Sequence, residues 1–297
     1  MNSLELVNKL YKPYRITKHG LSTIIESMEG KFVVKPKGKQ NVKELFDYLS
    51  LRGFNDYPKI VDSTRSDIDI YEYVEDASYP KDQKAVDMIK TIADLHTKTS
   101  YNKEVSEDKY KEIYDVLKGN LAFYKDKYTA MLDQIEDEIF MSPSHYLFIR
   151  NSSKLFSQIA FCDDKIDEWY DLVKDKRETR VSVIHNKLEL DHYLKSSRGA
   201  IISWDDAKID SPILDFYNFY SKEALDLEFN TILKEYLNKM NLSEDEQALL
   251  FILLCMPKDI DFEENEFKSC DTVSSFYDYI YRTEWLVRPY YSVDDEE

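Results

Sequence analysis

Residues 181–220 read VSVIHNKLELDHYLKSSRGAIISWDDAKIDSPILDFYNFY, and the order of residue types here frames the reading of the whole chain. Val181 to Ile184 is a β-branched run, which suits a pleated, half-buried surface and predicts a strand. Tyr193-Leu194 is a second short strand, Ser197-Arg198-Gly199 supplies the turn, and Ala200 to Trp204 is a third apolar strand. Between the first two strands lies a polar loop carrying His185, Glu189, Asp191 and His192. A loop held between rigid strands can place a reactive group with accuracy.

His185-Asn186-Lys187-Leu188 leads to His192, then to Ile202-Ser203-Trp204-Asp205-Asp206, and then to Asp210-Ser211-Pro212-Ile213-Leu214-Asp215-Phe216 at a helix start. This succession resembles the catalytic segment of the aminoglycoside phosphotransferase and choline kinase-like superfamily, including its spore-coat branch, all variants of the protein kinase fold. There, a strand enters His-Gly-Asp-Leu-x-x-x-Asn, a hairpin follows, then Ile-Asp-Trp/Phe-Glu/Asp, and Asp-Pro-x-x-Asp-Leu opens a helix. The resemblance implies an α+β, two-lobed fold. Residues 1–76 would form a small antiparallel N-lobe with one helix, and residues 77–297 a larger, mainly helical C-lobe carrying the site hairpin at 181–220.

The chemistry departs from that framework. Lys187 stands where the family has the Asp that accepts the acceptor's proton, His192 where it has a metal-holding Asn, and Ser203 where it has the second metal ligand. Phosphoryl transfer rests on positioning and on magnesium neutralising the triphosphate, so these three positions carry most of the mechanism. Asp191 and Asp205 are the nearest candidate substitutes, with Asp206 beside them. In an extended strand a residue two places beyond Ser203 is displaced by roughly 6–7 Å. His185 is expected to support the loop backbone, and Asp215 to brace it through hydrogen bonds. A metal held by His185 and His192 has neither a Cys partner nor a helix-borne pair to complete it, so no metal site is assigned.

The functional expectation is a pseudokinase-like protein, impaired in catalysis, that acts by binding a nucleotide, a metabolite or a protein partner. One alternative is an active ATP-dependent phosphotransferase of a small hydroxylated molecule, using ATP and Mg2+ with relocated carboxylates. Another is a structural or assembly protein built on the same fold.

Upstream, Tyr14 to Thr17, Ser22 to Met28 and Lys31 to Lys35 read as a three-strand meander, preceded by a short amphipathic helix over Ser3 to Leu10. The resemblance places the first turn over the nucleotide phosphates and assigns Lys35 to pair with them. Glu44, in a helix over Asn41 to Leu51, would face Lys35, although a surface carboxylate near a helix start is equally expected from the helix dipole. That first turn holds a single glycine, Gly20, which makes close approach to a phosphate sterically harder. Tyr57 to Val61 and Ile68 to Val74 form a further strand pair, and Glu72-Tyr73-Val74-Glu75 would be the link to the larger lobe, where the resemblance implies backbone hydrogen bonds to the adenine.

Beyond Pro80 the period is helical: Ala85 to Thr97, Lys109 to Ile139 as one helix or two, Tyr146 to Val173, Leu225 to Met240, Gln247 to Met256 and Thr272 to Arg288. Ser243 with Glu246 three places on is a capping box. The basic run Lys174 to Arg180 reads as a solvated loop, and Asp294 to Glu297 as an acidic tail.

A formal charge of −17 argues against a nucleic-acid surface, since phosphate binding needs clustered Lys and Arg, and leaves cationic partners favoured. No apolar run approaches the roughly 18 residues of a membrane span, so no membrane association is expected. Charged residues interrupt any secretory pattern near the N-terminus, which points to the cytoplasm. The three cysteines show neither metal spacing nor a disulfide framework.

Overall fold

Alternation along the first strands sorts their side chains onto two faces, and that sorting builds the site. The computed structural model describes residues 7, 9–38, 40–195 and 198–291. Strands Arg15–His19 (β1), Ser22–Ser27 (β2), Gly30–Pro36 (β3), Ile60–Asp62 (β4) and Ile68–Glu72 (β5) form an antiparallel sheet in the order β1-β2-β3-β5-β4. Ile25, Val34, Ile68 and Ile70 pack with Val7, Tyr11 and Phe32 as one buried cluster. Val33 and Lys35, the alternate residues of β3, line a cavity instead.

The chain divides into two compact units that are not contiguous in sequence. The first comprises residues 1–100, 182–210 and 238–240, and the second residues 101–181, 211–237 and 241–297. In the first, helix Val42–Leu51 (α1) starts at Asn41, whose side chain accepts from the Glu44 amide, and buries Val42, Phe46 and Leu49. Helix Lys81–Thr99 (α2) follows the link segment and buries Met88, Ile89, Ile92 and His96. Strand Glu178–Ile184 (β7) pairs at its C-terminal end with Lys208–Asp210 (β10), and Tyr193–Lys195 (β8) pairs with Gly199–Ile201 (β9).

The second unit is mainly helical. Helices Lys109–Glu136 (α3) and Pro143–Val173 (α4) run antiparallel, as the Tyr114–Asp167 and Lys118–Asp163 contacts show by joining the start of one to the end of the other. Ser142 caps α4, with Pro143 at its first position, where a missing N–H costs nothing. Helices Ile213–Glu223 (α5), Phe229–Met240 (α6), Glu244–Cys255 (α7) and Glu266–Val287 (α8) complete the helical part around Phe148, Trp169, Tyr220 and Phe251. The Ser243–Glu246 capping box is formed. Glu246 also holds Arg180 through Nε at 2.7 Å.

Several expectations are corrected. The third site strand stops at Ile201, and Trp204 opens a 3-10 turn through Asp206. The basic run is not wholly a loop, because β7 begins at Glu178 and Arg180 is ion-paired. Strands Tyr101–Glu104 (β6) and β10 were not anticipated. Each is a short, largely exposed edge against β7 with no apolar alternation to announce it. Most of the expected N-terminal helix, Ser197 of the expected turn and the tail Asp294 to Glu297 lie outside the described residues. No described helix is long and apolar enough to cross a membrane.

Candidate functional site

The first unit contains a cavity of about 600 Å³. One wall is the sheet face carrying Ile24, Val33 and Lys35, and another is formed by Leu194, Ile202, Ser203, Trp204 and Asp205. The link residues Glu72, Tyr73 and Val74 lie along it, and Asp191 lines it too. Burial first, and then the Asp69 and Asp205 carboxylates, pushes the phenol pKa of Tyr71 in this wall upward.

Ser203 decides the local geometry. Its backbone is left-handed, with φ 66°, so the extended chain ends there and folds into the 3-10 turn. Trp204 anchors that turn. Its indole Nε1–H donates to the Ile201 carbonyl at 2.7 Å, and Phe46, Phe54 and Tyr57 meet the ring edge-on at 6.0–6.5 Å between centres. Consequently Ser203 and Asp205 both reach the same cation: Lys35 Nζ is 3.5 Å from Ser203 Oγ and 4.0 Å from Asp205 Oδ2. The displacement of Asp205 expected from strand spacing does not apply, because the chain turns at Ser203. A Cβ on Gly38 would come 3.3 Å from Asp205 Oδ1, so this carboxylate lies close over the backbone that follows β3.

The loop after β7 is fastened from beneath. His185 is fully buried and its Nε2 is 2.8 Å from the Ile202 carbonyl, while its ring stands edge-on to Trp204. His192 Nδ1 is 2.8 Å from the Lys187 carbonyl, which closes the loop on itself, and the Ile202 amide donates to the His192 carbonyl at 2.8 Å. Asn186 is left-handed at φ 66°, a conformation Asn tolerates better than most residues. Lys187 is exposed, as is Asp191.

Lys35, Asp191, Ser203 and Asp205 therefore share one cavity. The expected Lys35–Glu44 pair is not made. Glu44 is exposed in the first turn of α1, where it accepts from the Asn41 side-chain amide at 2.7 Å and its own N–H donates to Asn41 Oδ1. A carboxylate at that position is drawn to the helix start and its dipole. Asp215 is fully buried in the first turn of α5, in the second unit. Among the described residues no three His, Cys, Asp or Glu side chains converge to hold a metal ion. Beside Lys35 stand a hydroxyl and one carboxylate, and that carboxylate already faces an ammonium, so Asp205 would have to leave Lys35 to share a magnesium ion with bound phosphates.

No protein-family model matches the chain, and no curated protein matches it in sequence. Solved structures do match. An aminoglycoside phosphotransferase from Alicyclobacillus acidocaldarius aligns with a TM-score of 0.68 at 10% identity, covering 94% of this chain and 92% of that one. The chain has the aminoglycoside phosphotransferase fold. It is α+β, with an antiparallel N-terminal sheet and a larger helical C-terminal part, as in two-lobed kinase-like proteins. The AMP-bound complex of spectinomycin phosphotransferase APH(9)-Ia aligns with a TM-score of 0.50 at 13% identity, over 99% of this chain and 94% of that one.

Asn186, which stands where the resembled motif has Gly, has a left-handed backbone. The link residues Glu72 to Val74 line the cavity, whereas the closeness of Gly38 to Asp205 had no sign in the sequence. A lone glycine after a strand carries no signal of what will lie over it, and backbone walls leave little trace in side-chain identity.

Proposed function

We propose that this chain uses the phosphotransferase fold to bind a ligand of the nucleotide class and has lost ordinary phosphoryl transfer. The observation that carries this reading is the coincidence of an ordered framework with altered chemistry. His185 and Trp204 fix the loop and the turn as a rigid scaffold, yet the position of the proton acceptor holds Lys187, an exposed cation. An ammonium cannot take the acceptor's proton, and general-base assistance is worth about 10² to 10⁴ in rate. The two metal-ligand positions hold His192, whose ring nitrogen is engaged with the Lys187 carbonyl, and Ser203, a neutral hydroxyl. Magnesium favours carboxylate oxygens over either.

The ligand class is supported by the cavity, whose volume suits a small molecule and whose walls are largely apolar, and by the AMP carried by the spectinomycin phosphotransferase of the same fold. A second reading has one observation in its favour: Asp205 reaches Lys35, so a relocated carboxylate could serve an active enzyme, with Asp191 in the same cavity. Radiometric ATP turnover with a panel of small hydroxylated acceptors separates the two. The binding reading expects saturable adenine-ligand binding and no transfer above the enzyme-free blank. Transfer that disappears in Asp205→Ala would establish the active enzyme instead.

A further inference from the structure

We propose that this cavity selects a nucleoside, or at most a nucleoside monophosphate, over a nucleoside triphosphate, and holds it without a divalent cation. The inference rests on the nucleotide-class reading above and gives that site its ligand charge.

Three features limit the site's capacity for phosphate. The first is the turn between β1 and β2. The ladder runs unbroken to the His19–Ser22 pair, leaving only Gly20 and Leu21 as the turn. A phosphate cradle needs several convergent backbone N–H groups, and this turn is too short to supply them.

The second feature is the charge around the cavity. Its acidic and basic lining residues are Lys35, Glu72, Asp76, Asp191 and Asp205, with His19. Lys35 faces Asp205, Glu72 lies 3.7 Å from Arg198, and Asp76 lies 2.7 Å from Lys84. These pairs cancel and leave Asp191, so the cavity offers no net positive charge to an anion. Asp205 is also half-exposed at 4.0 Å, a geometry in which the ion pair itself is weak. A phosphate could displace it from Lys35, but the carboxylate would remain nearby and repel the incoming charge.

The third feature is steric. Asp205 lies against Gly38, so the backbone beyond Lys35, another candidate phosphate wall, already has a carboxylate over it. The carboxylate nearest Lys35 is engaged with it, so the roughly four negative charges of a free triphosphate meet a lining without net positive charge. The apolar part of the cavity, between Ile24 and Val33 on one side and Leu194 and Ile202 on the other, suits a flat heterocycle and is indifferent to phosphate number.

Calorimetric titration of the full chain with adenosine, AMP and ATP, each with and without magnesium, tests this. Adenosine is expected to bind at least tenfold more tightly than ATP, and magnesium to change adenosine binding by less than twofold. In Asp205→Asn, checked for folding by its thermal transition, the adenosine-to-ATP preference should narrow by threefold or more. ATP with magnesium binding more tightly than adenosine would overturn the inference while leaving a nucleotide site standing. Failure of all three ligands to bind the folded protein would overturn the nucleotide-class reading and this inference with it.

Discussion

Lys35 and Asp205 face each other at 4.0 Å, although one lies on the third strand of the N-terminal sheet and the other in a 3-10 turn far along the chain. Their meeting depends on Ser203 turning the backbone and on Trp204 holding the turn in place.

Trp204→Ala should therefore act on stability and on the site together. Removing a buried indole packed against Phe46, Phe54 and Tyr57 is expected to cost about 3–5 kcal/mol. Urea unfolding measures that loss. The conservative Trp204→Phe should recover part of it but not the hydrogen bond to the Ile201 carbonyl.

Gly199 is required by its neighbour. A Cβ there would clash with the Tyr193 hydroxyl oxygen and sit 2.6 Å from its ring, and that ring is itself buried. Gly199→Ala is expected to destabilise by about 1–3 kcal/mol through overpacking. In a double-mutant cycle with Tyr193→Leu most of that cost should vanish. An unchanged cost would place the strain elsewhere.

Asn186 holds φ 66° at the position where the family pattern has glycine. Substituting Ala and Gly separately removes the same side-chain contacts, so their difference isolates the backbone. Asn186→Ala should be the less stable of the two by about 1 kcal/mol. Thermal or urea denaturation of the pair decides it.

Arg180 and Glu246 tie the basic run to the start of α7. The guanidinium grips both carboxylate oxygens and also donates to the Asn241 carbonyl at 3.2 Å, while Glu246 caps the Ser243 amide at 2.9 Å. Arg180→Met is expected to cost about 1–3 kcal/mol. Glu246→Ala should cost more, because it removes the cap as well.

Lys258 gives stability a dependence on pH. Its ammonium donates to the Ser221 carbonyl at 2.8 Å and stands 3.6 Å from the centre of the Tyr279 ring, and burial pushes its pKa down to about 8 from 10.5. Between those values the unfolded chain binds more protons than the folded one, so stability rises with pH from about 8. Near pH 10 the buried tyrosines, whose phenols burial pushes upward, begin to act in the opposite sense. Urea midpoints between about pH 8 and 9.5 should climb in the natural chain and stay flatter in Lys258→Met.

The amino-acid order alone determined the meander that carries Lys35, the helical character of the remainder, the Ser243–Glu246 cap and the succession of motifs from His185 to Asp215. These are local matters: branching at Cβ, the period of apolar residues and the chemistry of caps act within a few positions and are written in the chain. It did not reveal β6 and β10, whose largely exposed residues become strands only because β7 offers them an edge. Nor did it reveal that Asp205 comes to Lys35. Those outcomes required the tertiary structure, because a left-handed residue and a buried indole redirect the chain, and the partner each charge finds is set by that path rather than by spacing along the sequence.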